Sequence, residues 1–182
     1  MFEQIKDCRK CGLCKNQCPL LDQKRECQVV WVGLSAKKVE SDHVIPLSPE
    51  TNSGMLIKRV EELCSNVTTY KTNLVKCLPL NERQKLRYPN NKEIDCCFAN
   101  LKNEIEELKP RIVFLLGEKV YSSVGRHLDI CFEKWNGFEF YYKKYRETYF
   151  VPIQHPSYIY VYKRRQMDDY VRGIEKMIEQ LM

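Results

Sequence analysis

Apolar residues along this chain of 182 residues occur both in short unbroken runs and in repeats of three and four residues. Short apolar runs that end at turn-forming residues are typical of buried strands. They predict strands over residues 28–33, 73–76, 111–117, 138–142 and 148–153. The run that ends at Gly117 is the clearest, because every residue from Ile112 to Leu116 is apolar.

Apolar residues at helical spacing predict helices over residues 53–64, 92–109 and 167–182, with a short helix from Glu118. Pro110 stops the second of these helices, because proline removes a backbone donor and clashes with the preceding turn. Residues 1–27 lack such periodicity and predict a loop-like lead-in that carries several cysteines.

The alternation of strands and helices predicts an α/β fold of three layers, in which helices flank a central, mostly parallel sheet. A length of 182 residues suits one domain over 1–182, with 1–27 as a lead-in segment. In parallel sheets, ligands bind at the carboxyl ends of the strands. We therefore expect the site after Gly33, around Asn73 and after Ile153.

Composition and charge narrow the class of protein. No apolar stretch is long enough to span a membrane, and the first residues lack the apolar core of a secretory signal. The sequence therefore predicts a cytoplasmic protein with no membrane partner. Lys and Arg exceed Asp and Glu by 30 to 24, and basic residues mixed with tyrosines crowd the last third of the chain. That mixture favours nucleic acid, although a solvated strand pair with extended lysines explains it equally well.

Ten cysteines are many for such a chain, and without a secretory signal metal or cluster binding is favoured over disulfides. Two sets of cluster ligands compete. The first is a ferredoxin-like run of Cys8, Cys11, Cys14 and Cys18, followed by Pro19. The second pairs Cys8 and Cys11 with the distant Cys77 and Cys97, which would fasten the lead-in and the loop 78–92 to the domain. Cys27, Cys64, Cys96 and Cys131 are expected to be small apolar side chains.

Six motifs occur in a particular order along the chain. They are Cys8/Cys11, Gly33-Leu34-Ser35-Ala36, Asn73-Leu74-Val75-Lys76-Cys77, Glu93-Ile94-Asp95-Cys96-Cys97, the strand 110–117 and His155-Pro156-Ser157-Tyr158. In this order the chain resembles the iron–sulfur uracil-DNA glycosylases of family 4 over nearly its whole length. The resemblance implies a uracil-DNA glycosylase-like fold and a [4Fe–4S] cluster on Cys8, Cys11, Cys77 and Cys97, with Cys14 and Cys18 outside it.

The chain departs from that family in the loop after Gly33. Leu47 replaces the phenylalanine that stacks on uracil, Leu34 replaces a glutamate, and Lys37 replaces a glycine. Two extra residues also separate Leu47 from the next helix. These changes predict a reshaped and larger base pocket.

The same resemblance implies roles for the site residues. His155 would donate a hydrogen bond to the departing base, and Asn73 would read the base edge, because its amide both donates and accepts. Glu40, or Asp42 two residues later, would stabilise the cationic sugar or orient water. Ser35 could hold water, and Leu47 would contact the base.

DNA is the expected partner, bound by a monomer with the target base flipped out. Tyr158, Ile159 and Tyr160 could wedge into the base stack. The adjacent basic residues would contact phosphates; they are Lys163, Arg164 and Arg165.

Three functions are consistent with these residues. The first is a DNA glycosylase that removes a modified pyrimidine, such as glucosylated hydroxymethylcytosine in phage DNA, as an antiviral defence. The second is a uracil-DNA glycosylase of base excision repair. The third is a catalytically silent iron–sulfur protein that binds DNA or transfers electrons, and the presence of Asn73 and His155 argues against it.

Overall fold

The fold is taken from a computed structural model that describes residues 2–39, 44–134 and 137–182. Five strands are present in these ranges: β1 (Val29–Ser35), β2 (Thr69–Val75), β3 (Ile112–Leu116), β4 (Lys143–Tyr145) and β5 (Thr148–Ile153). Six α-helices accompany them: α1 (Phe2–Lys6), α2 (Asn52–Leu63), α3 (Asn91–Leu108), α4 (Glu118–Leu128), α5 (Pro156–Tyr162) and α6 (Met167–Leu181). Short 3₁₀ turns lie at Leu13–Lys15 and Arg164–Gln166.

The strands form one sheet in the order β2-β1-β3-β5-β4. The first four strands in this order are mutually parallel, and β4 pairs with β5 in the antiparallel direction. The carboxyl ends of β2, β1, β3 and β5 therefore lie side by side along one edge of the sheet. The predicted α/β class with a mostly parallel sheet is confirmed.

Alternate side chains of each strand pack on opposite faces of the sheet. In β1, Val30 and Val32 pack with α3 and α4, whereas Val29 and Trp31 pack with α2, α5 and α6. The sheet is thus the middle of three layers, and its strands are apolar on both faces because helices cover both faces.

Local sequence explains where the helices start and stop. Asn90 caps α3 by accepting from the Glu93 backbone, and the Glu93 carboxylate accepts in return from the Asn90 N–H. Lys109 ends α3 in the left-handed region with φ of 47°, directly before Pro110. Thr51 caps α2 by accepting from the Gly54 N–H at 3.1 Å.

Two predicted segments are wrong. Residues 138–142 are irregular, and the short strand lies at Lys143–Tyr145 instead. Phe138 and Phe140 alternate as they would in a strand, but both rings pack edge-on against Tyr170 of α6. The second strand, β2, also begins four residues before the predicted Asn73, at Thr69.

The lead-in covers the free edge of β2. Its Leu20 N–H donates to the Lys76 carbonyl at 2.8 Å, and the Asp22 carboxylate accepts from the Lys71 N–H at 3.0 Å. Arg25 Nε donates to the Thr69 carbonyl at 2.9 Å. Residues 20–25 therefore bind outer backbone groups at the start of β2 and just beyond its end.

In the ranges that the structure describes, no helix has both the length and the apolar character needed to cross a bilayer.

Candidate active site

The floor of the candidate site consists of two glycines at the carboxyl edge of the sheet. Gly33 ends the buried part of β1 and pairs in register with Asn73 of β2. Gly117 follows β3 with φ of 95°, a conformation that disfavours other residues, and faces His155 beyond β5. Adjacent strands lie about 4.8 Å apart, so the three strand-to-strand steps from β2 to β5 place the backbones of Asn73 and His155 roughly 14 Å apart across the sheet.

Asn73 and Leu47 lie next to each other over this floor. A Cβ atom added at Gly33 would lie 2.4 Å from Asn73 Oδ1 and 3.2 Å from Leu47 Cδ2. Position 33 therefore requires glycine, because any side chain would displace the Asn73 carboxamide. Asn73 is 3% exposed, and no side chain or backbone group of the described residues hydrogen bonds to its carboxamide.

Leu47 belongs to a loop that is seated directly on the start of α2. A Cβ atom at Gly54 would lie 2.0 Å from the Ser48 carbonyl oxygen and 2.3 Å from that of Leu47. Leu47 itself has φ of 53°, in the left-handed region that leucine seldom adopts. This tight seating fixes the direction in which the Leu47 side chain enters the site.

His155 stands between β5 and α5, where it caps the helix. Its Nδ1 accepts a hydrogen bond from the Ser157 N–H at 3.3 Å. In a neutral imidazole one nitrogen accepts and the other carries the proton, so Nε2 is the donor. No described residue accepts from Nε2, which leaves this donor available for a ligand.

Burial keeps this imidazole neutral. It is the larger of two causes that lower the pKa of His155, and the positive charge of Lys37 is the second. Lys37 therefore acts on His155 electrostatically, an interaction that local sequence pattern does not predict.

Gln17 of the lead-in holds the loop that carries Lys37. Its Nε2 donates to the Lys37 carbonyl at 3.1 Å, and its Oε1 accepts from the Val39 N–H at 3.1 Å. The lead-in thus organises the loop after β1 up to the last residue described before position 44.

Three further predicted residues contribute less to the geometry of the site. Ser35 is the last residue of β1, half-buried, two positions beyond Gly33. Glu40 and Asp42 lie outside the described residues.

Five cysteine side chains gather beyond the carboxyl end of β2, the same end that carries Asn73. Burial is the largest cause that raises the pKa of the Cys77 thiol, to about 12. Four neighbouring sulfurs also raise it, in decreasing order those of Cys97, Cys11, Cys14 and Cys8. The four predicted ligands are therefore brought together, and Cys14 lies with them, whereas Cys18 is exposed. Cys27 and Cys64 are buried, as expected of small apolar side chains, but Cys96 and Cys131 are exposed, which corrects that expectation.

Hydrogen-bond donors point at two of these sulfurs. Asn100 Nδ2 lies 3.5 Å from Cys8 Sγ and 3.8 Å from Cys97 Sγ. The Lys76 N–H donates to Cys97 Sγ at 3.4 Å. Among the residues described, no three His, Cys, Asp or Glu side chains converge closely enough to hold a single metal ion.

Sequence reasoning missed a buried ion pair behind Asn73. Lys76 Nζ contacts the Glu104 carboxylate, and both side chains are almost fully buried. The signals were a lysine that ends an apolar strand and a glutamate on the apolar face of α3.

The predicted DNA-contacting tyrosines lie on α5, a helix that the sequence did not predict. Tyr158 is 46% exposed and stacks at a tilt on Tyr162, with ring centroids 5.3 Å apart. Ile159 is fully buried under the helix and cannot wedge into DNA, which corrects that expectation. Tyr160 is half-buried. The residues of α5 that reach solvent are therefore Tyr158, Val161 and Tyr162.

Two basic groups near the carboxyl terminus differ in their pairing. At the β4–β5 hairpin each cation has a carboxylate partner; these pairs are Lys143–Glu133, Lys144–Glu147 and Arg146–Glu106. After α5, the three cations form no ion pair with any described residue; they are Lys163, Arg164 and Arg165. Lys163 and Arg164 lie over aromatic rings instead. The second group is free to bind phosphate.

A cavity of about 530 Å³ lies away from this edge of the sheet, between α3, α4 and the β4–β5 hairpin. Apolar side chains form most of its wall, and none of the predicted site residues lines it.

Comparison with known proteins agrees with the geometry. The sequence model of the Uracil DNA glycosylase superfamily matches residues 23–179. A type-4 uracil-DNA glycosylase of Archaeoglobus fulgidus is 23% identical, over 98% of this chain and 90% of its own. Another, from Saccharolobus solfataricus, is 26% identical over 72% of this chain and 60% of its own.

The fold also resembles a solved structure, that of Pedobacter heparinus SMUG2. The two share 14% identity, with a TM-score of 0.53 over 86% of this chain and 76% of the other. This likeness concerns the arrangement of strands and helices.

Proposed function

Since this chain belongs to the uracil-DNA glycosylase superfamily and is a DNA glycosylase, we propose that it hydrolyses the N-glycosidic bond of a pyrimidine flipped out of DNA, leaving an abasic site. One observation carries the proposal. Across a floor of two glycines, the Asn73 carboxamide and the His155 Nε2–H are both without partners among the described residues.

Asn73 is proposed to bind the base edge. A carboxamide that has no hydrogen-bond partner within the protein can bind a base that offers both a donor and an acceptor. Leu47, beside Asn73 over Gly33, would contact the base face.

His155 is proposed to donate from Nε2 to the O2 atom of the leaving base. Bond breaking leaves positive charge on the sugar and negative charge on the base, so a positioned donor stabilises the transition state more than the bound substrate. The lowered pKa of His155 supports a neutral ring that donates without needing a proton from solvent.

The sugar needs an anion or an oriented water on its other side. We assign this role to Glu40, with Asp42 as the alternative carboxylate and Ser35 as a group that could hold water. The clamp that Gln17 forms on the loop immediately before Glu40 supports a fixed path for that loop.

The proposed substrate is a modified, bulky pyrimidine, such as glucosylated hydroxymethylcytosine of phage DNA, with defence as the role. Support comes from Leu47, a branched aliphatic residue where a flat ring would stack on plain uracil, and from the longer loop that follows it. Uracil is the second candidate, because both type-4 relatives are named uracil-DNA glycosylases.

We further propose that Cys8, Cys11, Cys77 and Cys97 hold a [4Fe–4S] cluster. Four thiolates bind four irons in such a cluster, so they need not converge on one point. The donor set fits: buried sulfurs gather here, and the Asn100 and Lys76 N–H groups aim at them. The cluster would supply structural cross-linking of the lead-in to β2 and α3.

DNA would bind along α5, with Tyr158 and Tyr160 near the bases and Lys163, Arg164 and Arg165 on phosphates. The unpaired state of these cations supports this assignment. The enzyme would act as a monomer in the cytoplasm.

A base-release assay tests the proposal. The full-length protein is incubated with three duplexes: one containing uracil, one containing glucosylated hydroxymethylcytosine, and one unmodified. We expect alkali-sensitive abasic sites only in the duplex with the modified cytosine. Abasic sites only in the uracil duplex would identify the repair function instead. Absence of cleavage in all three would reject glycosylase action on these bases.

A further inference from the structure

A buried network lies directly behind Asn73. Lys76 Nζ donates to the Asn73 carbonyl oxygen at 2.6 Å and to Thr72 Oγ1 at 2.7 Å, and it pairs with the Glu104 carboxylate. Glu104 Oε1 also accepts from Tyr70 at 3.0 Å. Both charged side chains are at most 1% exposed.

Such a pair is a poor device for stability alone. Removing two charges from water is costly, and apolar residues of the same volume often serve a core as well or better. A buried ion pair instead imposes one geometry on the groups that it contacts, because any displaced group leaves a charge uncompensated.

Asn73 lies where that constraint matters. It belongs to an edge strand, which pairs with β1 on one side only. Its carboxamide lies directly over Gly33, where an added Cβ atom would be only 2.4 Å from Asn73 Oδ1. The Lys76 backbone also contacts Cys97 Sγ and the Leu20 N–H. Lys76 therefore contacts the end of β2, the lead-in and α3 at the same time.

We propose that the Lys76–Glu104 pair is a positioning device for base recognition: it fixes the Asn73 backbone so that the carboxamide meets the flipped base in one orientation. This inference rests on the proposed function. Lys76 contacts no substrate and acts only through Asn73.

The test replaces the pair by apolar residues, Lys76→Met with Glu104→Leu, because a single substitution would leave a buried charge and could prevent folding. A matched control exists on the same strand. Lys71 pairs with Glu61 of α2 at 2.8 Å and has no hydrogen bond to Asn73, so Lys71→Met with Glu61→Leu removes a less buried ion pair from the same strand.

Single-turnover base release is measured on the glucosylated and uracil duplexes for the wild type, both pair variants, Asn73→Ala, and Asn73→Ala combined with Lys76→Met/Glu104→Leu. We expect the Lys76–Glu104 variant to be slower by about 10- to 100-fold, as small misplacements of binding groups are. In the Asn73→Ala background the same change should have no further effect. The melting temperature, and the brown colour expected of the proposed [4Fe–4S] cluster, check that each variant is folded.

Full activity of the Lys76–Glu104 variant would overturn the proposal, and so would equal losses with and without Asn73. A loss of the same size in the Lys71–Glu61 control would also overturn it, because any buried pair on β2 would then suffice.

Hydrogen exchange of the peptide that spans residues 69–76 tests the positioning role without relying on base release. If the wild type releases no base, the proposed function fails. Faster exchange at the strand end in the Lys76–Glu104 variant alone would still support the positioning role, and unchanged exchange would reject it.

Discussion

The candidate site has two sides, which we call its walls: the end of β2 with Asn73 and the end of β5 with His155. The two walls hold their functional groups in different ways. The backbone carbonyl of Asn73 accepts from Lys76 of a buried ion pair, and the lead-in and a group of thiols contact the residues that follow, Lys76 and Cys77. The His155 ring makes one helix-capping hydrogen bond and lies against Gly117, while its carbonyl accepts backbone bonds from the first turn of α5. A carboxamide can turn over and exchange donor for acceptor, whereas one bond to Nδ1 already fixes which imidazole nitrogen donates. The group that reads the base therefore needs more support than the group that donates to it.

The largest expected effect comes from removing a proposed cluster ligand beside the Asn73 wall. Cys77→Ser or Cys97→Ser should abolish the brown chromophore, because each removes a buried ligand from a distant part of the chain. Absorption near the visible cluster band and iron content measure the loss. Cys18→Ser is the exposed control and should keep both, as should Cys14→Ser. Retention of the chromophore by both buried variants would favour the run of Cys8, Cys11, Cys14 and Cys18.

The second prediction breaks the other wall alone. His155→Ala should lower single-turnover base release by about 10² to 10³-fold, the typical loss for one preorganised donor. Affinity for DNA should change little, because the donor acts when charge develops on the base. Unchanged turnover on a substrate with a verified abasic product would remove His155 from the mechanism.

These two walls were predictable to different degrees. The strands β1, β3 and β5 follow from their apolar runs, and motif order located Asn73 and His155 at strand ends. The helix α5 was missed because aromatic and β-branched residues, which favour strands, fill five of its seven positions. The available signal was His155 as a cap before Pro156. The Lys76–Glu104 contact joins residues 28 positions apart and depends on how α3 packs on β2, which local pattern does not encode.

The third prediction concerns the surface beside the His155 wall. Substituting Lys163, Arg164 and Arg165 by alanine should weaken binding to every duplex alike and reduce the salt slope by about one unit for each lost phosphate contact. The control is Lys143→Ala/Lys144→Ala/Arg146→Ala, whose cations already have carboxylate partners. Equal effects of the two triple variants, measured by fluorescence anisotropy across salt concentrations, would place the docking face elsewhere.

The smallest predicted effect sharpens the comparison through pH. Protonation of Nδ1 would break the bond from the Ser157 N–H, so base release should fall as pH drops through the lowered pKa of His155. Lys37→Met removes a positive charge that lowers this pKa, so the acidic fall in kcat/KM should move to higher pH. Lys38→Met is the neighbouring control and should leave the profile in place. An acidic limb that moves equally in both variants, or in neither, would contradict the assignment.

The strap formed by residues 20–25 has a consequence for protein that lacks its cofactor. Without the proposed cluster, residues 20–25 would be held on β2 by hydrogen bonds alone, and their release would bare the outward-facing N–H and C=O groups of this edge strand. Such an edge is a template on which strands of other molecules add. Iron-starved protein is therefore expected to be lost as aggregates rather than to accumulate as an inactive but well-behaved form, so yield itself would report on cluster assembly.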